Sequence, residues 1–385
     1  MKIAFIYDMI YPFNIGGVEL RNFEIAKRLT KNHEVHLFGV KLWQGPDVIK
    51  KDGITIHGVC KYGKTYNFKG VRTIFEPLKF AIKLYKPLKK EKFDLIDTST
   101  FVYFHCFTCK LISTLNKTPL IFTWHQYWGN YWYEYLGFIK GFFGKLIERL
   151  VKNFTNFHVA ISKTTKNDLI KIGLAEKNIF LSYDGVNLEL VESIPKQEKI
   201  YDLIFVGRLI HQKNVSLLIK ATQILKKDFP NIKIAIVGDG PDKNDLIALT
   251  KKLNLENNVL FLGFLPELKQ VYKKMKQSKI FVLPSLLEGF GIVVAEAMAC
   301  SLPIVLVNSP WSASKELINE KLNGSISKND PENLAQNIKN ILNNNQKITN
   351  MGQHSHKLAQ KFSWQNTTSD IETYYQEMIN LWKQN

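Results

Sequence analysis

Short apolar runs alternate with amphipathic stretches along almost the whole chain. The opening run, Lys2-Ile3-Ala4-Phe5-Ile6-Tyr7, reads as a first strand. The pattern predicts strands near 2–7, 34–40, 94–97, 119–124, 157–160 and 178–182, and helices near 17–30, 73–90, 102–116, 130–153 and 163–172. Further on it predicts strands near 202–206, 232–237, 259–262, 280–283 and 303–307 with helices between them, then helices over 331–344 and 364–383. This alternation builds parallel sheets covered on both faces by helices.

One segment breaks the rhythm. Glu192 to Tyr201 (ESIPKQEKIY) is polar, contains Pro195 and precedes a fresh strand, so it is read as an interdomain linker. The expected organisation is one doubly wound domain over 1–191, a second over 192–363, and a final helix over 364–385. That helix has Trp364, Ile371, Tyr374, Tyr375, Met378 and Leu381 to bury and is expected to pack across the domain junction. In such domains ligands bind at the carboxyl ends of the strands.

Composition narrows the class. A chain of 385 residues is long for one core and comfortable for two. With 45% hydrophobic and 22% charged residues it is globular, not disordered. The formal charge of +18 favours anionic partners, whether phosphorylated small molecules, nucleic acid or an acidic membrane surface. The basic residues are scattered, without a helix-turn-helix or zinc-finger pattern, so no nucleic-acid partner is expected. The apolar runs are too short to span a membrane and the N-terminus lacks a signal peptide, which makes a cytoplasmic location the default. Cys106 and Cys109 form a lone C-x-x-C with His105 beside it, in a stretch that reads as a buried helix. Without a second ligand pair, packing as small hydrophobes outweighs metal or redox chemistry.

The strongest chemical signal is PSLLEGFGIVVAEAMACSLP, from Pro284 to Pro303. A strand ends at Leu283, a loop carries Glu288-Gly289-Phe290-Gly291, and a helix starts near Gly291. Two glycines let backbone N–H groups approach a ligand, and the helix N-terminus adds a positive dipole end, which together make a phosphate site. Glu288 and Glu296 would be poor phosphate ligands but good acceptors for sugar hydroxyls; the plain alternative is a capped helix with two surface acids. Arg208 and Lys213 follow another strand of the same half, where they can face a diphosphate or stand as solvated cations. In the first half, Gly16 and Gly17 form a loop that can close over a phosphate or acceptor, or simply start a helix. His125, in Thr123-Trp124-His125-Gln126, follows the fourth strand and is either a ligand group or a satisfied polar residue.

These motifs resemble the retaining glycosyltransferases of the GT-B fold, family 4-like (glycosyltransferase group 1), which include mannosyl- and glucosyltransferases and sucrose synthase. The two glutamates with seven residues between them, the first followed by G-F-G, match at Glu288 and Glu296. Gly207-Arg208-Leu209 with Lys213-Asn214 looks like the family's G-R-L and K-N. Val237-Gly238-Asp239-Gly240-Pro241 looks like its V-G-D-G-P turn, and Gly16-Gly17-Val18-Glu19 like its G-G-x-E loop. Ala160-Ile161-Ser162 and Asp184-Gly185-Val186-Asn187 sit where the family has A-x-S and N-G-V-D. The resemblance covers most of the chain.

It implies two Rossmann-like domains facing a cleft, the first on the acceptor side and the second binding a nucleotide-sugar donor. It assigns Arg208 and Lys213 to the donor's phosphates, Glu296 to its ribose and Glu288 to the hydroxyls of the transferred sugar. His125 falls near the reacting sugar, with Gly16, Gly17, Gly207, Gly238, Gly240, Gly289, Phe290 and Gly291 lining the donor. It further implies transfer with retention, in which the leaving phosphate takes the acceptor's proton. The chain contains no Asp-x-Asp, so fixed cations stand where other enzymes hold a divalent ion; no metal and no cofactor is expected. Asp184 and Asn187 reverse the usual Asn and Asp, which leaves the role of that turn open. Rival readings are a nicotinamide oxidoreductase, which Gly238-Asp239-Gly240 fails for want of a third glycine, and another GT-B enzyme such as a nucleotide-sugar epimerase or a phosphorylase.

Acceptor and location draw on one more segment. From Trp128 to Phe154, aromatic and apolar residues recur at helical spacing, with Lys140, Lys145, Arg149 and Lys152 on the other faces. This suits either an anionic membrane interface or a core helix with a solvated basic face. The membrane reading has the first half of the segment dock onto the cytoplasmic leaflet, as a peripheral protein bringing a lipid-linked or glycan acceptor to the site.

Overall fold

The structure, a computed structural model, describes residues 1–61, 63 and 73–384. Its contacts divide the chain into two units, residues 1–184 with the C-terminal helix from Trp364, and Gly185–Ser363. The first unit runs β1 (Lys2–Ile6), α1 (Gly17–Leu29), β2 (Glu34–Lys41), β3 (Val48–Lys51), β4 (Ile54–Lys61), α2 (Phe75–Lys90), β5 (Leu95–Ser99) and α3 (Phe104–Asn116). It continues with β6 (Leu120–Trp124), α4 (Tyr131–Leu136), α5 (Phe138–Val151), β7 (Phe157–Ala160), α6 (Lys163–Lys171) and β8 (Ile179–Leu181). The sheet order is β3-β4-β2-β1-β5-β6-β7-β8. Every pairing is parallel except that of β3 with β4.

Strands β1, β5 and β6 are buried on both faces, which is why they read as continuous apolar runs. The β3–β4 hairpin is absent from the sequence reading. It turns on Asp52 and Gly53, both at positive φ (+50° and +80°), a D-G signal for a two-residue hairpin between polar strands. Cys106 and Cys109 are sealed in the core of this unit, where burial pushes both thiols up, that of Cys109 to about 12. His105 bonds the Ser99 carbonyl at 2.7 Å, so the three residues behave as core.

The second unit contains α7 (Leu188–Glu192), β9 (Tyr201–Val206), α8 (Val215–Leu225), β10 (Ile234–Val237), α9 (Lys243–Lys252), β11 (Val259–Gly263), α10 (Leu268–Lys276), β12 (Ser278–Leu283) and β13 (Leu287–Glu288). It then has α11 (Ile292–Ala299), β14 (Ile304–Val307), β15 (Trp311–Ser312), β16 (Gly324–Ser327), α12 (Pro331–Leu342) and α13 (Asn345–Ala359). Six parallel strands lie in the order β11-β10-β9-β12-β14-β16, with β13 paired to β15 as a separate small ladder. The central β9 and β12 bury Leu203, Ile204, Phe205, Ile280, Phe281 and Val282 completely. α13 was not anticipated, because its polar sequence shows little apolar stripe.

Residues 185–191, placed in the first domain by the sequence reading, group with the second unit. Lys276 of α10 donates to the Val191 and Ile194 carbonyls at 2.8 and 2.5 Å, tying α7 and the residues after it to that unit. The last helix, α14 (Trp364–Gln384), groups with the first unit. Tyr375 donates to Asp97, Tyr374 stacks on Phe180 at 4.5 Å, and Glu372 meets His33 at 2.8 Å. Leu381, expected to be buried, is 45% exposed.

The predicted helix over 130–153 is two helices. Gly137, at φ +75°, ends α4 and starts α5. Tyr131 and Trp132 of α4 are buried, Trp132 against Phe101 and Trp128. Tyr131 and Trp132 are therefore not available to a membrane, whereas Phe138 and Ile139, at the start of α5, are exposed.

Candidate functional site

The carboxyl edge of the second unit's sheet brings several of the sequence-derived residues together. β9 and β12 are neighbours, so the loops that follow them lie side by side. The loop after β9 carries Gly207 and exposed Arg208, then a single helical turn over His211–Lys213. The loop after β12 carries Glu288. Lys213 Nζ donates to Glu288 Oε1 at 2.5 Å, with side chains 18% and 9% exposed. The two loops are stitched by backbone as well, since Leu286 N donates to Gln212 O at 2.8 Å. Asn214, in the left-handed region at φ +51°, donates to the Pro284 carbonyl at 3.3 Å.

Glu288 is held from the other side by the small ladder. It pairs with Ser312 in β15, and Ala313 N donates to the Glu288 carbonyl at 2.8 Å. Gly291 is the N-cap of α11 at φ +90°, a conformation that favours glycine. The first N–H groups of α11 point out of this end without helical partners, the arrangement that binds anions. The Phe290 side chain is 2% exposed and packs on Phe362 with ring centres 5.6 Å apart. It therefore serves the core, and a ligand here meets its backbone.

Glu296 lies one turn further along α11 and is buried. Burial pushes its carboxyl up to about 7, partly offset by a hydrogen bond from the Tyr272 hydroxyl at 3.0 Å. Tyr272 was not foreseen; it sits on α10 among apolar residues and reads as core.

Gly238 and Gly240 have a packing reason of their own. A Cβ on Gly238 would lie 1.9 Å from the Gly207 carbonyl oxygen, and one on Gly240 would lie 2.3 Å from that of Leu209. The two strand-end loops run so close that Leu209 N bonds Asp239 O at 2.9 Å. These glycines set the path of the Arg208 loop.

In the first unit, Gly16 caps α1 in an extended conformation. The buried Glu19 folds back so that a Cβ on Gly16 would lie 2.4 Å from its carboxylate oxygen. A negative group already faces this helix end, which makes it a poorer phosphate site than the α11 loop.

His125 follows β6 and is half-buried. Burial first, then the Arg21 cation, push it down to about 3, so its imidazole is neutral. Its Nε2 meets Ser99 Oγ at 3.1 Å, and Asn22 Nδ2 donates to the same oxygen at 3.2 Å. A neutral, oriented imidazole at a strand end can hydrogen-bond a hydroxyl but carries no charge to a phosphate. Asn22 and Ser99 were missed because they come from a helix and a strand far apart in sequence.

The turn with exchanged Asp and Asn has separate structural roles. Asp184 is buried against Arg21 at 2.9 Å, and Asn187 caps α7 by accepting from Leu190 N at 3.0 Å.

One cluster outside these sites has metal-ligand chemistry among the described residues: His36, His57 and Glu91. The two imidazoles are hydrogen-bonded at 2.8 Å, Glu34 holds the far side of His36 at 2.9 Å, and Lys2 pairs with both Glu34 and Glu91. The groups satisfy one another's charge and hydrogen bonding.

The two halves match two protein families. Residues 15–190 match Glycosyltransferase Family 4, and residues 187–358 match Glycosyl transferases group 1. An uncharacterized glycosyltransferase of Methanocaldococcus jannaschii is 27% identical, over 97% of this chain and 98% of that protein. The N-acetylgalactosamine-N,N'-diacetylbacillosaminyl-diphospho-undecaprenol 4-alpha-N-acetylgalactosaminyltransferase of Campylobacter jejuni is 35% identical over 47% of this chain and 49% of its own length. Among solved structures, Anabaena HepE in complex with UDP and glucose superposes with a TM-score of 0.75 at 20% identity, covering 97% and 98% of the two chains. Sucrose-phosphate synthase from Thermosynechococcus elongatus gives 0.83 at 18% identity, covering 99% of each. At such identities the structural likeness speaks for the fold, two Rossmann-like domains of the GT-B type. With one glycosyltransferase family matching each half and that fold common to its neighbours, the chain belongs to the GT-B glycosyltransferases.

Proposed function

We propose that the protein moves a sugar from a nucleotide-sugar donor to a lipid-linked or glycan acceptor, with retention of anomeric configuration and without a bound metal or cofactor. The observation that carries the donor side is the Lys213–Glu288 pair, which joins two strand-end loops beside exposed Arg208 and the glycine-started helix α11. In this reading Arg208, Lys213 and the backbone of Gly289 to Gly291 hold the diphosphate. Glu288 accepts from hydroxyls of the sugar and Glu296 from the ribose. A lysine ammonium has three N–H donors, so Lys213 can keep Glu288 in place while bonding a phosphate oxygen. His125, neutral and held by Ser99, is a hydrogen-bonding group for a sugar hydroxyl.

The chemistry follows from where charge grows. As the bond from the anomeric carbon to the phosphate oxygen breaks, negative charge collects on the leaving diphosphate. Two fixed cations and a helix N-terminus aimed at it stabilise that charge without reorganising. The acceptor hydroxyl bonds the anomeric carbon on the face the phosphate leaves, and its proton passes to the departing phosphate oxygen. The cations thus take the place of a divalent ion, consistent with a sequence lacking Asp-x-Asp.

UDP and glucose in the Anabaena neighbour support a nucleotide-sugar donor, and the diphospho-undecaprenol in the Campylobacter relative's name supports a lipid-linked acceptor. Among the described residues no helix is long and apolar enough to cross a membrane. The enzyme then reaches such an acceptor as a peripheral protein on the cytoplasmic face. Incubation with a panel of nucleotide sugars and a lipid extract, read by mass spectrometry, tests the reading. The expected product is an acceptor heavier by one sugar, alongside free nucleoside diphosphate, and NMR of that product should show the donor's anomeric configuration. A donor that is only isomerised or hydrolysed, or a product with inverted configuration, overturns it.

A further inference from the structure

Helix α5 is built inside out. An amphipathic helix on a globular domain normally buries its large apolar side chains and exposes its small and charged ones. In α5 the buried positions are Gly141, Glu148 and Val151. A Cβ on Gly141 would lie 2.6 Å from the Trp132 carbonyl oxygen, and one on Gly144 would lie 2.6 Å from the Trp132 ring, so this face is fitted tightly against α4. Glu148 is turned inward to accept from the Tyr103 hydroxyl at 2.6 Å and from Trp128 N and Gly129 N, both at 2.9 Å. The opposite face carries Phe138, Ile139, Phe142, Phe143, Leu146 and Leu150, from 50% to 80% exposed.

The apolar surface does not end with α5. Phe154, just past its last turn, meets Phe107 of α3 with ring centres 4.9 Å apart. Along α3, Phe107, Leu111 and Leu115 are exposed at four-residue spacing. α3 packs on α2 through the Thr108 hydroxyl, which donates to the Ala81 carbonyl at 2.7 Å. On α2, Phe75, Leu78 and Ile82 are exposed as well. Apolar exposure on this scale is uncommon for a surface that meets only water.

Charge selects the occupant. Every exposed charged side chain on α2, α3 and α5 is basic: Lys83, Lys86, Lys89 and Lys90, Lys110, and Lys140 with Arg149. The acids on these helices are Glu76, which takes an ion pair from Lys79, and Glu148, which is buried. Projecting aromatic and aliphatic side chains with cations of one sign match the interface of an anionic bilayer, where apolar groups enter the acyl boundary and lysines meet lipid phosphates. A protein partner's core interface, by contrast, is typically poor in lysine.

We propose that the exposed face of α5, continued by α3 and α2, is a docking surface for an anionic lipid membrane. This deepens the lipid-linked acceptor reading above and rests on it only for the purpose that docking serves. The test uses the full-length protein and acceptor-free vesicles of phosphatidylcholine with about a quarter phosphatidylglycerol, read by co-sedimentation. The wild type should bind, and raising salt to about 1 M should weaken binding several-fold by screening. The double variant Phe138→Ser with Phe142→Ser should bind roughly tenfold or more weakly with its far-UV circular dichroism and urea midpoint near wild type, because the rings are 80% and 50% exposed and touch only Tyr133 and Phe143 among the described aromatic residues. Lys140→Glu with Lys110→Glu provides a second variant at exposed positions, and it should lose the preference for anionic over neutral vesicles. No binding by the wild type, or equal binding by both double variants, overturns the proposal. So does a dimer in sedimentation velocity that the phenylalanine variant converts to monomer, since the face would then belong to a second copy of the chain. A protein that binds these vesicles yet glycosylates no lipid sinks the acceptor reading and leaves the docking face standing.

Discussion

Arg21 and Asp184 lie 163 positions apart and meet in a 2.9 Å salt bridge whose side chains are 1% and 3% exposed. The guanidinium also donates to the Tyr183 carbonyl and to Ser182 Oγ, each at 2.9 Å, so the buried cation is well satisfied. The pair clamps α1 to the residues that follow β8, the last strand of the first unit. On the next residue of α1, Asn22 reaches Ser99 and through it His125. Removing either partner leaves the other charge buried, so Arg21→Ala and Asp184→Ala should each cost about 3–5 kcal/mol. Replacing both at once, as Arg21→Met with Asp184→Leu, should cost far less. Urea unfolding midpoints decide the matter; single variants no worse than surface substitutions would show that the clamp contributes nothing.

The donor cations make a second prediction. Arg208→Ala and Lys213→Ala should each lower turnover on the order of a hundredfold, the usual scale for lost transition-state charge stabilisation. Arg208 is exposed, so its removal should leave the unfolding midpoint near wild type. Lys213→Ala strands Glu288 in a mostly buried position and should cost about 1–3 kcal/mol as well. Near wild-type transfer by both variants would remove the phosphates from this loop.

Metal removal is a separate measurement. With Arg208 and Lys213 holding the diphosphate, EDTA should leave transfer largely intact. Loss of activity restored by magnesium or manganese would mean that the two cations do not replace an ion.

Much of the fold was legible because its strands are short, apolar and regularly spaced by helices. The β3–β4 hairpin was not, since its strands are polar and only the Asp52-Gly53 turn marks it. The donor loops were legible because glycines and charged residues cluster at strand ends within a few positions. The surroundings of His125 were hidden, because Ser99, with Asn22 bonded behind it, and the Arg21 charge come near it only after the sheet forms. The orientation of α5 was hidden for another reason. Periodicity reveals that a helix has two faces, not which of them the protein covers. Here Trp132 covers the glycine face, and Glu148 among the apolar positions was the available clue.

Glu148 also carries a pH dependence. Burial raises its carboxyl to about 7, above the ordinary glutamate value near 4.3. Between those two values the folded chain holds a proton that the unfolded chain has released. Stability from this group is therefore full at acidic pH and is lost as pH rises toward 7. Glu148→Gln keeps an acceptor for Tyr103 but cannot ionise, so it escapes this loss. The stability of the variant relative to wild type should rise by on the order of 3 kcal/mol between about pH 4.5 and pH 7.5. A difference that stays flat across that range in parallel urea titrations would refute the assignment.

Glu288 and Glu296 should separate into two kinetic roles. Glu296 is buried beside Tyr272 and assigned to the ribose, a part that the free nucleoside diphosphate retains. Glu296→Ala should therefore weaken nucleoside diphosphate binding about tenfold, the scale of one lost hydrogen bond to a charged or buried acceptor. Tyr272→Phe serves as a control: if it weakens binding equally, the effect runs through the tyrosine rather than through the ribose. Glu288 is assigned to the sugar, which the free nucleotide lacks. Its removal also frees the Lys213 ammonium from its carboxylate partner, adding attraction for phosphate rather than subtracting it. Glu288→Ala should accordingly bind nucleoside diphosphate as well as wild type or slightly better, while turnover falls on the order of a hundredfold. Calorimetric titration alongside turnover measurements separates these outcomes, and the reverse pattern would exchange the two roles.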